Sequence, residues 1–214
     1  MNVDDLLKLY ATGERNFAQA HLHEAYLSRA DLVGANLQGA DLIGANLADS
    51  NLSRANLSQA NLSRTNLTGA TLASTDLSNT ILIGANLYRA NLMEAALNRA
   101  NLSGANLREA NLAGVSLVKA VLGETDLHGA NLFGGNLRWA TLTSADLIGA
   151  NLGQVDLRGA DLSGVSLIRA DLAGATLSAA DLSYANLLGA NLSDVDLTGA
   201  DLKGAILPDG SLSH

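Results

Sequence analysis

The 214-residue chain predicts an all-β solenoid with a short α-helical cap at its N-terminus. Three observations carry that prediction. Every fifth residue from Leu22 to Leu212 is leucine, 39 without a break, and Phe17 holds the same register one step earlier. The position two before each Leu is nearly always small, and the residue between is usually Asn or Asp. Thus Ala30 to Leu47, ADLVGANLQGADLIGANL, repeats one five-residue word four times. Residues 1–13 fall outside this register and carry a helical pattern instead.

The period of five excludes the ordinary elements. A helix turns about 100° per residue, so a step of five smears the leucines around its axis. A strand alternates faces with period two, so an odd step sends successive leucines to opposite sides. A chain that bends the same way once per word keeps every Leu inward. The small residue two before it also points inward, and the Asn or Asp between them points out. The two variable residues after Leu supply the bend. Gly34, Gly39, Gly44 and Gly149 occupy the second of them, as suits a turn position with positive φ.

The number of words per coil is read from longer spacings. Ile148, Ile168 and Leu188 recur every 20 residues just after Leu, and Val115, Val155 and Val195 recur every 40. Both favour four words, hence four faces, per coil. Coils about 4.8 Å apart then make residues 15–214 a rod of ten coils roughly 48 Å long. The words A-[DN]-L-x-x resemble those of the pentapeptide-repeat family over residues 15–214. That resemblance implies a right-handed, four-sided parallel β-helix.

Along the chain, Val3, Leu6, Leu7 and Tyr10 fall on one helical face, giving a helix over about residues 3–11. Asn2 is its expected N-cap. Asp4 and Asp5 suit the positive start, and Gly13 the stop. Its role is to cover the open top of the leucine column, because terminal repeats need a cap. The expected division is residues 1–14, capping helix and linker, and residues 15–214, β-helix. Residues 14–29 form a weaker first coil. His21, His23 and Glu24 cluster there, but read as solvated surface rather than a metal site. In residues 30–139 the Asn/Asp position is replaced by Ile81, Ala96 and Val121, and Ile81 with Ile83 makes a small apolar spot. Pro208-Asp209-Gly210 is a turn signal near the end. No second helix follows, so either the tail or another subunit covers the last coil.

Net charge is −8. Residues 1–139 carry 12 acids and 10 bases, and residues 140–214 carry 9 acids and 3 bases. This balance disfavours direct nucleic-acid binding, which needs a basic stripe. There is no Cys, hence no disulfide and no thiolate chemistry. Two acids stand where a signal peptide needs a basic region, and no apolar run approaches a membrane span. A cytoplasmic location is expected, with no membrane association. The chain has no phosphate loop, metal spacing or nucleophile elbow. No enzyme, catalytic residue, metal or cofactor is expected.

Two surface features stand out. Trp139, the single Trp, sits at a surface position. Arg99, Val118, Lys119 and Arg138 come near it when the chain is counted by twenties, and Arg158 lies one coil on. Trp and Arg dominate interface hot spots, so these six residues are the candidate partner surface. The competing reading is that Trp139 merely makes a cation–π pair with its arginine neighbours. The second feature is the apolar stripe Ile148, Ile168, Leu188 and Pro208, a candidate association surface. Asp161, Asp181 and Asp201 stack at equivalent places. With no pocket or nucleophile nearby, they read as solvated surface.

The expected function is a non-enzymatic scaffold presenting flat faces to a partner protein. Self-association through the C-terminal coil or the stripe is a further expectation. Segments such as YATGERNF and LPDGSLSH resemble the ends of cyanobacterial pentapeptide-repeat regulators, a likeness that implies a transcription regulator as partner. The alternative is a DNA-mimicking inhibitor or protector of DNA gyrase, the role of the quinolone-resistance members. Those members resemble one another in C-terminal dimerisation helices and central Phe residues, which this chain lacks beyond Phe17.

Overall fold

The computed structural model describes residues 3–214. Inward leucines stack because each word advances the chain by one face and every fourth word returns it to the same face. From Asn16↔Asn36 to Asn186↔Ile206, each residue before an inward Leu (or Phe17) bridges in parallel to the residue 20 positions on. The result is a right-handed, four-sided β-helix of about ten coils. One helix, α1 (Val3–Ala11), precedes it.

Each word is built the same way. At Leu112, the Leu N–H donates to the Asn131 carbonyl at 2.7 Å, and the Gly114 N–H donates to the Phe133 carbonyl at 2.9 Å. The Asn131 N–H donates back to the Ala110 carbonyl at 2.9 Å. A turn hydrogen bond from the Val115 N–H to the Leu112 carbonyl, 3.1 Å, closes the corner. Every second variable position from Gln19 to Gly204 has positive φ, as the turn predicts. Glycine is only a minority solution. Twenty-two non-Gly residues, Arg99 and Trp139 among them, hold φ between 53° and 62° there.

The Asn and Asp residues do more than line the outside. Most are half-buried, and their Oδ1 accepts the backbone N–H two residues ahead, as Asn51 does from Ser53 at 3.2 Å. The Ser53 hydroxyl donates to the same atom at 2.7 Å. This explains the recurrent Asn-Leu-Ser triplets: the polar residue closes the turn that follows it, as Asx turns do. Successive Asn side chains also ladder down one face. The Asn111, Asn131 and Asn151 amides donate to the residue one coil back at 3.3, 3.2 and 3.1 Å.

The small inward position is mostly Ala, with five buried hydroxyl residues. Thr65, Thr75 and Thr125 donate to the carbonyls of Leu42, Leu52 and Leu102 in the preceding coil. Ser50 Oγ is buried with no partner among the described residues. An orphaned buried hydroxyl costs about 1–3 kcal/mol, and Ala fills equivalent positions throughout. Ser50→Ala is therefore expected to raise stability by about 1 kcal/mol, read as a higher urea midpoint at unchanged slope.

The two ends differ. Helix α1 occupies the predicted span and buries Leu6 on the first coil. The N-cap role assigned to Asn2 lies outside the described residues. The helix stops in a paired motif in which the Gly13 N–H reaches the Tyr10 carbonyl and the Glu14 N–H reaches the Leu9 carbonyl, both 3.0 Å, with Gly13 at φ 102°. Tyr10 donates to the Val33 carbonyl at 2.9 Å and carries Arg15 over its ring at 3.9 Å.

At the C-terminus the leucine register gives way. The turn through Pro208-Asp209-Gly210 reverses the chain, so that Leu212 pairs antiparallel with Ile206. Leu212 is 57% exposed rather than inward. This corrects the expectation that all 39 leucines point inward. The returning tail buries Ala205 but leaves Leu192, Leu197 and Leu202 half-buried. Among the described residues the N–H groups of those three leucines have no hydrogen-bond partner.

Candidate partner surface

The corner after Leu97, Leu117, Leu137 and Leu157 builds the candidate surface. The Arg99 N–H donates to the Val118 carbonyl, the Lys119 N–H to the Arg138 carbonyl and the Trp139 N–H to the Arg158 carbonyl, at 3.0, 3.0 and 3.1 Å. These bonds stack two columns side by side. One runs Asn79, Arg99, Lys119, Trp139, Gly159; the other runs Asn98, Val118, Arg138, Arg158. Arg99, Val118, Lys119, Arg138 and Trp139 line one open cleft of about 470 Å³ together with Asn79 and Asn98. Arg138, Trp139 and Arg158 line an adjoining cleft of about 270 Å³. The structure thus brings all six sequence-selected residues into one patch.

Trp139 is 58% exposed. No arginine lies over its ring: the cation–π contacts among the described residues are Arg15 on Tyr10 and Arg89 on Tyr88. The indole instead lies on the backbone of Gly159, where a Cβ would overlap the ring. The same arrangement recurs at Tyr184 over Gly204 and Phe133 over Gly153, where a Cβ would stand 2.9 and 3.0 Å from the ring. A glycine one coil on thus gives an aromatic a flat seat and leaves its other face in water. Reasoning from sequence missed Gly159, and the signal was a glycine 20 residues after the Trp. It also missed Asn98. Ser116 replaces the usual Asn in its own word, and Asn98 takes over by accepting the Val118 N–H at 3.1 Å and the Ser116 hydroxyl at 2.6 Å.

Arg99, Lys119 and Arg138 have no ion-pair partner among the described residues. Arg158 is engaged: its Nη2 and Nε donate to the two oxygens of Asp156 at 2.6 and 2.9 Å. That fork holds the Asp156 carboxyl below its ordinary value, with a smaller through-space contribution from Arg138.

The stripe also stacks as expected. The N–H groups of Gly149, Arg169 and Gly189 donate to the carbonyls of Ile168, Leu188 and Pro208, all at 2.9 Å. Leu188 is 45% exposed, whereas Ile148, Ile168 and Pro208 are half-buried. Ile81 and Ile83 stand exposed at 40% and 44%. In the first coil His23 lies 3.7 Å from Glu24 and 3.9 Å from Asp41.

The aspartate stack has structural work. Asp161, Asp181 and Asp201 accept the backbone N–H of Ser163, Ser183 and Lys203 at 3.0, 2.8 and 2.9 Å. Burial pushes the Asp161 carboxyl up, but bonds from the Ser163 side chain and backbone and from Thr143 outweigh it, so its pKa is lowered. A carboxyl with a lowered folded pKa contributes stability that is present above its unfolded value. That stability is lost as pH falls through the folded value. Urea stability is therefore expected to be flat near neutrality and to fall below about pH 4. Asp161→Asn, which keeps the acceptor oxygen, should flatten part of that acid slope.

The sequence matches the family model for pentapeptide repeats in eight copies, from residues 16–49 to residues 170–209. No curated protein matches. Among solved structures the chain is similar to HetL, a pentapeptide repeat protein involved in heterocyst differentiation regulation from the cyanobacterium Nostoc sp. strain PCC 7120. Identity is 42% over all of both chains, with a TM-score of 0.45. It is also similar to QnrB1, a plasmid-mediated fluoroquinolone resistance protein, at 20% identity, 77% of this chain and 85% of that one, TM-score 0.50. A third likeness is to Rfr23 of the cyanobacterium Cyanothece 51142, at 35% identity over 50% of this chain and 58% of that one, TM-score 0.28. Among the described residues no helix is long and apolar enough to cross a membrane.

Proposed function

We propose that this chain, which belongs to the pentapeptide-repeat family, is a non-enzymatic scaffold that binds a partner protein through the Trp139 corner. The observation that carries the reading is the seating of Trp139 on Gly159, which orients a large ring with one face open to solvent. An aromatic held in place by backbone loses little rotamer entropy on binding, which favours it as an interface anchor. Arg138, Lys119 and Val118 border it with polar and apolar groups. The 42% identity to HetL, a protein involved in heterocyst differentiation regulation, supports a regulatory role, and a transcription regulator as the partner rests on the resemblance of the segments YATGERNF and LPDGSLSH alone.

The test is an affinity pull-down from native lysate with the unaltered protein, Trp139→Ala and Ile168→Asp. Loss of a partner with Trp139→Ala but not with Ile168→Asp supports the corner. The reverse result moves the interface to the Ile148–Pro208 stripe. Trp emission is an independent check, because the chain has a single Trp. A strongly blue-shifted spectrum of the isolated protein would mean a buried ring and remove the proposal. A supercoiling assay with gyrase separates this reading from the DNA-mimic alternative, since clear inhibition or protection would displace it.

A further inference from the structure

The charges of the Trp139 corner break a pattern that the other corner positions keep, although aspartates do stack on aspartates at the outward position before Leu. At the same kind of corner position, Arg29 stacks on Asp49 at 3.9 Å and Arg89 on Glu109 at 2.7 Å. Arg108 likewise reaches Asp126 at 3.3 Å. Coils only about 4.8 Å apart make opposite charges the favourable neighbours and like charges the costly ones. Yet Arg99 stacks on Lys119 and Arg138 stacks on Arg158. Four of the 13 basic residues thus crowd one patch of a chain whose net charge is −8. Asp156, the carboxylate beside them, is already taken by Arg158.

We propose that the cleft between Arg99, Val118, Lys119, Arg138 and Trp139 receives an acidic peptide segment of a partner protein. Its carboxylates pair with the three free cations, and an apolar side chain lies on the open face of the indole beside Val118. This rests on the interaction reading above and specifies the partner's chemistry. The size favours a peptide. The three free cations span three coils, about 10 Å, which an extended segment of about four residues covers. A duplex gains affinity from roughly 6–10 phosphate contacts. Here three free cations are available, and the coils beyond are acidic, with 9 acids against 3 bases after residue 139.

The single Trp makes the test direct. In the isolated full chain, the ratio of iodide to caesium quenching of Trp139 is expected to exceed that of free N-acetyltryptophanamide, despite the net negative charge. A ratio at or below the free value would overturn the local positive field on which the inference depends. A short synthetic peptide of alternating Glu and Leu is then titrated against Trp139 emission, beside its Gln-for-Glu counterpart and a duplex oligonucleotide. The Glu peptide is expected to bind, and to weaken several-fold as salt rises from low to physiological. Arg99→Glu with Lys119→Glu should weaken it at least about tenfold. Arg138→Gln should weaken it less, and Arg64→Glu, on a different face, should leave it unchanged. Circular dichroism and thermal midpoints confirm that each variant is folded.

Equal binding of the Gln peptide, or tighter binding of the duplex, overturns the proposal. No binding of the Glu peptide, while a lysate partner still depends on Trp139, overturns the acidic-segment chemistry and leaves the interaction reading standing. Loss of both removes both.

Discussion

Leu112→Ala is expected to destabilise the protein by about 2–5 kcal/mol, toward the upper end of that range. Leu112 is fully buried, and Leu92 and Leu132, one coil on either side in its column, are fully buried too. Truncation leaves a cavity whose cost depends on how far the surroundings can collapse. Here they are held apart. The Leu112 N–H is bonded to the Asn131 carbonyl at 2.7 Å and the Asn111 N–H to the Ala90 carbonyl at 3.0 Å, so coil spacing cannot shrink locally. Each coil touches only its neighbours, so the damage should centre on the coils around residue 112. Urea unfolding gives the magnitude, and amide exchange gives the location as faster exchange in the flanking coils. Leu197→Ala is the control: it lies in the half-open last coil and should cost distinctly less. A loss under about 0.5 kcal/mol at Leu112, ordinary for a surface position, would show that the leucines are not the core.

The register of the core was legible because one residue type repeats at one spacing. Leucine every five residues demands a bend per word, and the recurrence of Ile148, Ile168 and Leu188 at 20 sets four bends per coil. What the word could not reveal depends on neighbours in other coils. Positive φ was tied to glycine, yet Arg99 and Trp139 adopt it at 58° and 60°, because the inter-coil ladder imposes the turn on whatever residue arrives there. Asn98 replaces the acceptor missing at Ser116, a compensation visible only once the coils are stacked. Leu212 continues the period but not the column, since the turn through Pro208-Asp209-Gly210 outweighs one more step of the repeat. The candidate surface was legible for a different reason. Trp139, Arg138 and Lys119 stand where the variable pair is free to vary, so residue type there is not dictated by packing.

Gly135→Val is expected to destabilise by about 1–3 kcal/mol, and Val115→Ala in the same chain is expected to restore much of that loss. Gly135 occupies the inward small position, where Ala is usual. In its column the neighbours one coil back and one coil on are Val115 and Val155, both fully buried. A Cβ at 135 would stand 3.3 Å from Val115 Cγ1, 3.3 Å from Leu137 Cδ1 and 3.0 Å from the Leu132 carbonyl oxygen. The first two atoms belong to packed side chains and the third to backbone, so two further methyl groups have nowhere to go without moving a coil. The spacing of 40 between Val115 and Val155 thus acquires a physical cause. A bulky residue in this column needs a smaller one beside it, and Val alternates with Gly135 and then Ala175. The double-mutant cycle isolates that volume exchange. Val115→Ala alone opens a cavity, Gly135→Val alone overfills the layer, and the pair should couple favourably by about 0.5–3 kcal/mol. Strict additivity of the two losses would mean that the column is soft enough to absorb each change independently. The alternation would then have no energetic meaning.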